Sequence, residues 1–132
     1  MSETAGDILT PFDALGGEAG VRRLVDAFYD IMDSDPAATE LRRMHQEDLS
    51  LIRARLSDWL CAWMGGPPLY AERHPGRPCI MSAHAPFAIG AAAADQWMSC
   101  MSQALDQIQA PAPWRGLLEQ AFGRMCQGLR NA

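Results

Sequence analysis

Ala83-His84-Ala85-Pro86-Phe87-Ala88-Ile89-Gly90, followed seven residues later by Trp97, is the stretch on which the reading of this chain turns. It separates residues 69–83, with Pro75 and Pro78 inside them, from a segment at 91–109 where Trp97, Met98, Met101, Leu105 and Ile108 recur at helical steps. Upstream, 18–33 repeats Val21, Leu24, Val25, Phe28 and Met32. Residues 48–64 repeat Leu49, Ile52, Leu56, Trp59, Leu60 and Trp63 until Gly65-Gly66-Pro67-Pro68 stops the pattern. Asp35-Pro36 predicts a short helix through Leu41 that ends near His45, because proline suits a first helical turn. Beyond Pro111 and Pro113 a last helix is predicted over 113–129, with Trp114, Leu117, Leu118, Phe122, Met125 and Leu129 on its inner side. Nothing alternates as a half-buried strand does, and there is no internal repeat. The expectation is an all-α protein with a long irregular loop before His84, holding at most one helical turn. A loop of about 15 residues inside a compact domain usually serves function.

The chain has 132 residues, enough for one core without staples, with residues 1–10 expected as a flexible lead and 11–132 as a single domain. It is 48% apolar and 20% charged, the balance of a globular rather than a disordered chain. Sixteen acidic residues oppose eleven basic ones, all arginine, for a net charge of −5. That argues against a nucleic-acid partner, which calls for concentrated positive charge. Arg22-Arg23 and Arg42-Arg43 read as solvated helix faces. No secretory leader pattern and no apolar run of about 20 residues is visible, so no membrane contact and a cytoplasmic location are expected. Cys61, Cys79, Cys100 and Cys126 are too widely spaced for a paired motif and read as thiols in a reducing compartment.

Three further segments place the opening stretch in a pattern: Leu24-Val25-Asp26-Ala27-Phe28-Tyr29, Leu41-Arg42-Arg43-Met44-His45 and Trp63-Met64-Gly65-Gly66-Pro67-Pro68-Leu69-Tyr70. In this order and at these spacings the chain resembles the truncated haemoglobins of the second group, from about Phe12 to about Leu105. The resemblance implies a two-over-two helical sandwich around a haem, in which a loop replaces most of the helix before the proximal histidine. The cofactor that the resemblance implies is haem b, iron protoporphyrin IX held non-covalently, and the cysteines carry no motif for covalent attachment.

The resemblance assigns His84 as the axial iron ligand, with Pro86 stiffening the chain beyond it and Phe87 packing on the macrocycle. Tyr29 and Trp97 match its distal hydrogen-bond donors. His45 falls at the corner before the distal helix, where it donates to bound ligand, bonds to Tyr29, or binds iron itself. Phe28, Ile52, Leu56, Trp59 and Leu60 line the distal pocket, with Ile52 where solvent access is controlled. Tyr70 matches a contact to the haem acid groups. The chain departs from the pattern just before His84, where Ile80-Met81-Ser82-Ala83 lacks the usual arginines and the loop is one residue longer. Arg73, Arg77 or His74 are the candidate replacements.

The implied function is reversible binding of oxygen and other diatomic ligands. Nitric oxide oxidation and peroxidase-like turnover are the family's proposed reactions. Either needs electrons from a separate reductase, because no glycine-rich nucleotide-binding turn is present. A monomer or weak homodimer is expected. Two alternatives stand beside this: a haem-based gas or redox sensor acting through a partner protein, and a helical domain in which the same residues are ordinary core. A zinc site lacks ligand spacing.

Overall fold

A computed structural model describes residues 9–76 and 80–132 of the chain. Its helices are α1 (Pro11–Ala14), α2 (Gly17–Ser34), α3 (Thr39–Arg43), α4 (Ser50–Trp63), α5 (Leu69–Arg73), α6 (Ile80–His84), α7 (Ala91–Gln107) and α8 (Trp114–Leu129), with a 3-10 turn at Pro36–Ala38 between α2 and α3. No strand occurs among the described residues. Helix α2 packs on both α4 and α7, and α7 packs on α8, so the pair α2–α4 meets the pair α7–α8 across one core.

The core follows from the periodicity. Val21, Leu24, Phe28 and Leu60 have no exposed surface, nor have Met101, Leu105 and Phe122. At about 25 cal/mol per Å² of apolar surface removed from water, such side chains are the main source of stability. The inner face of α7 also includes Ala93, Ala94, Cys100 and Ala104, small residues that let neighbouring helices approach, whereas Met98 and Ile108 only flank the core. Leu117, expected inside, is 53% exposed: α8 turns Leu118, Phe122 and Cys126 inward, and Leu117 lies about 100° away from Leu118. Cys61, Cys100 and Cys126 are buried free thiols, and burial raises the pKa of each; Cys79 lies outside the described residues.

Local chemistry sets the element ends. Thr10 caps α1 by accepting from the Asp13 N–H at 3.2 Å, and the Phe12 N–H donates to the Met64 carbonyl at 3.1 Å, tying α1 to the end of α4. Gly65 and Gly66 are required by that contact. Gly65 has φ 96°, and a Cβ on Gly66 would lie 2.5 Å from the Phe12 ring. The Asp35 carboxylate accepts from the Ala37 N–H and opens the 3-10 turn. Arg42 then reaches Asp33 and the carbonyls of Gln46 and Glu47, fixing the corner that carries His45.

The segment before His84 is more regular than expected. Residues 69–73 form α5 and 80–84 form α6, so Tyr70 and Arg73 sit on a helix rather than in a loop. The physical reason is α5's docking on α4 through buried Leu69 and through an ion network that apolar spacing does not encode. Asp58 on α4, its side chain 3% exposed, accepts from Arg22 at 3.2 Å, Arg73 at 3.0 Å and His74 at 2.9 Å, while Arg22 and Arg73 also share Glu18. Arg22 is therefore part of an inter-helix network and not a solvated face. Replacing Asp58 with Asn should cost about 1–2 kcal/mol in denaturant unfolding, because the buried carboxylate that Arg22, Arg73 and His74 share loses its charge, while the half-exposed arginines remain partly screened by solvent. An unchanged midpoint would show the network to be unimportant for stability.

Candidate functional site

The expected distal residues converge. Tyr29 and Phe28 lie side by side on α2, both buried, with ring centroids 4.9 Å apart. Phe28 meets Trp97 of α7 at 5.0 Å, Trp97 meets Phe122 of α8 at 5.4 Å, and Phe122 stacks on Trp63 of α4, which stacks on Trp59. One aromatic wall thus runs across four helices. Its edge-on and stacked contacts at these separations are favourable beyond area alone. On the other side of Tyr29, the His45 ring sits at 5.8 Å.

Neither the Tyr29 hydroxyl nor the Trp97 indole N–H donates to any described residue. Neither atom is among the buried polar atoms left without a partner, and Trp97 as a whole is half-buried. Burial pushes the Tyr29 phenol well above its ordinary range, so it keeps its proton and remains a donor at neutral pH. Arg53, held by Asp26 and Asp30, lies over the Tyr29 ring with its guanidinium carbon 5.8 Å from the centroid.

His45 has its Nδ1 2.9 Å from the Leu41 carbonyl. A carbonyl only accepts, so Nδ1 carries the hydrogen and the neutral ring offers a lone pair at Nε2. In that form Nε2 can only accept a hydrogen bond or bind a metal, and its contact with Tyr29 is between rings rather than a hydrogen bond; donation to a bound ligand would require protonation at both nitrogens. Burial is the largest influence on its pKa and lowers it from 6.5, with Arg42 and His84 pushing the same way against the Leu41 bond. The unfolded chain therefore takes up a proton first as pH falls, and native stability declines from about pH 6.5 downward until the folded ring titrates. His45→Phe should flatten that part of the decline in urea midpoints measured between pH 7 and about pH 5. Parallel profiles for the two proteins would rule the contribution out.

Helix α4 presents Ile52, Leu56, Trp59 and Trp63 on one stripe, yet all four are only half-buried, in contrast to fully buried Leu60. His84 ends α6, half-buried, and Phe87 is 44% exposed. Among the described residues α6 makes no extensive contact with another helix. A broad apolar stripe, two donors with no partner among the described residues, and a histidine at the end of a short helix fit a large flat apolar group with a metal at its centre. One further observation fits the acid groups of such a cofactor: Arg55 Nε is buried without a hydrogen-bond partner, one turn along from Ile52. Arg55 was not singled out by sequence; an arginine flanking an apolar stripe was the available signal.

The remaining propionate candidates are placed differently. Arg73 is held by Glu18 and Asp58, and His74 by Asp58, so neither supplies free charge to a cofactor. Tyr70 packs against the His74 ring at 5.2 Å. Arg77 lies outside the described residues. Among those described, no group of three His, Cys, Asp or Glu could hold a metal ion by itself. No helix among them is long and apolar enough to cross a membrane.

Comparison with known proteins adds three findings. The sequence profile of the bacterial-like globin family matches residues 10–128. The chain is 36% identical over 115 residues to the group 2 truncated haemoglobin YjbI of Bacillus subtilis, covering 87% of this chain and 81% of that protein. Among solved structures it is similar to a cold-adapted truncated haemoglobin of the Antarctic marine bacterium Pseudoalteromonas haloplanktis, with TM-score 0.88, 39% identity, and coverage of 94% and 99% of the two chains. It is also similar to a group II 2-on-2 haemoglobin of Agrobacterium tumefaciens, with TM-score 0.87, 35% identity, and coverage of 95% and 96%.

Proposed function

This chain belongs to the bacterial-like globin family, among the group II truncated haemoglobins with their two-on-two helical fold, and from that membership we propose that it holds haem b and reversibly binds oxygen and other diatomic ligands. The observation that carries the reading is the pair of donors, Tyr29 Oη and Trp97 Nε1, neither of which bonds to a described residue, together with an apolar stripe on α4 that the described residues leave half-covered. When bound, haem would supply an iron centre able to take a diatomic ligand.

The chain's residues do the rest. His84 offers an imidazole lone pair from the last position of α6. Tyr29 and Trp97 donate toward the distal space, where a ligand carrying partial negative charge is held best by preorganised donors in a water-poor pocket. Ile52 and Leu56 keep water out without competing for those donors. Arg55 and Tyr70 are the residues we assign to the haem acid groups, with Arg55 in place of the arginines missing before His84. Such a pocket favours slow ligand escape over bulk transport. Nitric oxide oxidation or peroxidase-like turnover would draw electrons from a separate reductase.

Absorption spectra of the purified protein test this: ferric, dithionite-reduced, then with carbon monoxide. A Soret band that shifts on reduction and again with carbon monoxide is expected. Its absence after reconstitution with haem would overturn the proposal and leave a helical domain of other function.

A further inference from the structure

The backbone just beyond His84 is held from a distant part of the chain. Past the end of α8, Asn131 donates from Nδ2 to the Phe87 carbonyl at 2.8 Å and accepts at Oδ1 from the Ile89 N–H at 2.7 Å. The Asn131 and Ala132 backbone N–H groups both donate to the Ile89 carbonyl, at 2.9 and 3.1 Å. Phe87 in turn donates its N–H to the His84 carbonyl at 3.0 Å. Among the described residues no other element bonds to the backbone of 86–89. Helix α6 has no extensive helix partner, and Gly90, before α7, has no side-chain cap.

We propose that Asn131 is a positioning residue for His84: its amide clamps Phe87 and Ile89, and so sets the height and tilt at which the imidazole meets the iron. The side-chain amide is suited to this because it pairs a donor and an acceptor with a carbonyl and an N–H of the same segment, a two-point contact that fixes direction as well as distance. Residues that orient a metal ligand without touching the metal change its affinity and electronics. The proposal rests on the haem reading above.

The test uses the full chain reconstituted with haem, comparing wild type with Asn131→Ala and Asn131→Asp. Resonance Raman spectra of the ferrous forms report the iron–histidine stretch. The carbon monoxide stretch of the same samples reports the distal side. Asn131→Ala is expected to shift or broaden the iron–histidine mode, leave the carbon monoxide mode in place, and speed haem transfer to excess apomyoglobin about fivefold, the scale of losing about one net hydrogen bond. Asn131→Asp keeps the acceptor for Ile89 and removes the donor to Phe87, so an intermediate shift is expected; it decides the question alone if the alanine variant does not fold. An iron–histidine mode identical to wild type in the folded variants would overturn the proposal, even if haem loss were faster, because that would be loosening without positioning. A wild-type chain that takes up no haem would instead overturn the haem reading itself.

Discussion

His84→Ala should abolish stable haem binding: after reconstitution the ferrous five-coordinate histidine spectrum is lost, and the rate of haem transfer to apomyoglobin rises by more than about 100-fold, beyond the 10–100-fold that loss of a ligand's supporting partner costs. The reason lies in the structure around it. His84 ends a five-residue helix that makes no extensive contact with another helix among the described residues, so an imidazole–iron bond would add a link between α6 and the rest of a loaded protein. His84→Gly with added free imidazole should restore much of the spectrum, since the missing part is a ligand and not a fold. Retention of an unaltered Soret band in His84→Ala would assign the iron to another residue, with the lone pair at His45 Nε2 as the first candidate.

Tyr29→Phe should raise the oxygen dissociation rate about ten- to hundredfold, the equivalent of the roughly 1.5–3 kcal/mol that a hydrogen bond to a charged acceptor contributes. The substitution removes one oxygen atom from a buried ring and leaves its contacts with Phe28 and His45 in place, so the helix and core should persist. Trp97→Phe should act in the same direction. It also disturbs the contacts to Phe28 and Phe122, so its effect on stability should be larger. Because both rings pack on Phe28, and both are proposed to donate to one ligand, the double variant should lose less than the product of the single effects. An oxygen off-rate in Tyr29→Phe within about twofold of wild type would remove Tyr29 from the distal role and leave it as core.

Much of the site was legible before any coordinates. The apolar spacing on α2 placed Tyr29 next to Phe28 at the edge of a core-facing stripe, and Ile52 and Leu56 share a face of α4 because they are four residues apart. What periodicity cannot report is the partner of a polar atom. Whether Tyr29 and Trp97 are satisfied core residues or donors into a pocket depends on groups that are remote in sequence, as does whether Arg73 is free. Asp58 looks like one more charge on a helix until Arg22, Arg73 and His74 close around it from α2 and the end of α5. Leu117 fits the apolar pattern of α8 and still faces outward, because which way that helix rotates is decided by its packing on α7.

The sequence by itself determined the helical class, the order and approximate bounds of the long helices, and the membership that selects His84, Tyr29 and Trp97, since these rest on spacing along one chain. Only the tertiary structure decided the rest: the Nδ1–H tautomer of His45, the unpaired Nε of Arg55, the diversion of Arg73 and His74 to Asp58, and the clamp of Asn131 on Phe87 and Ile89. Each depends on a hydrogen bond or ion pair made, or left unmade, with residues outside its own stretch of chain. A polar atom's role is set by what surrounds it in space, and local sequence carries no record of that.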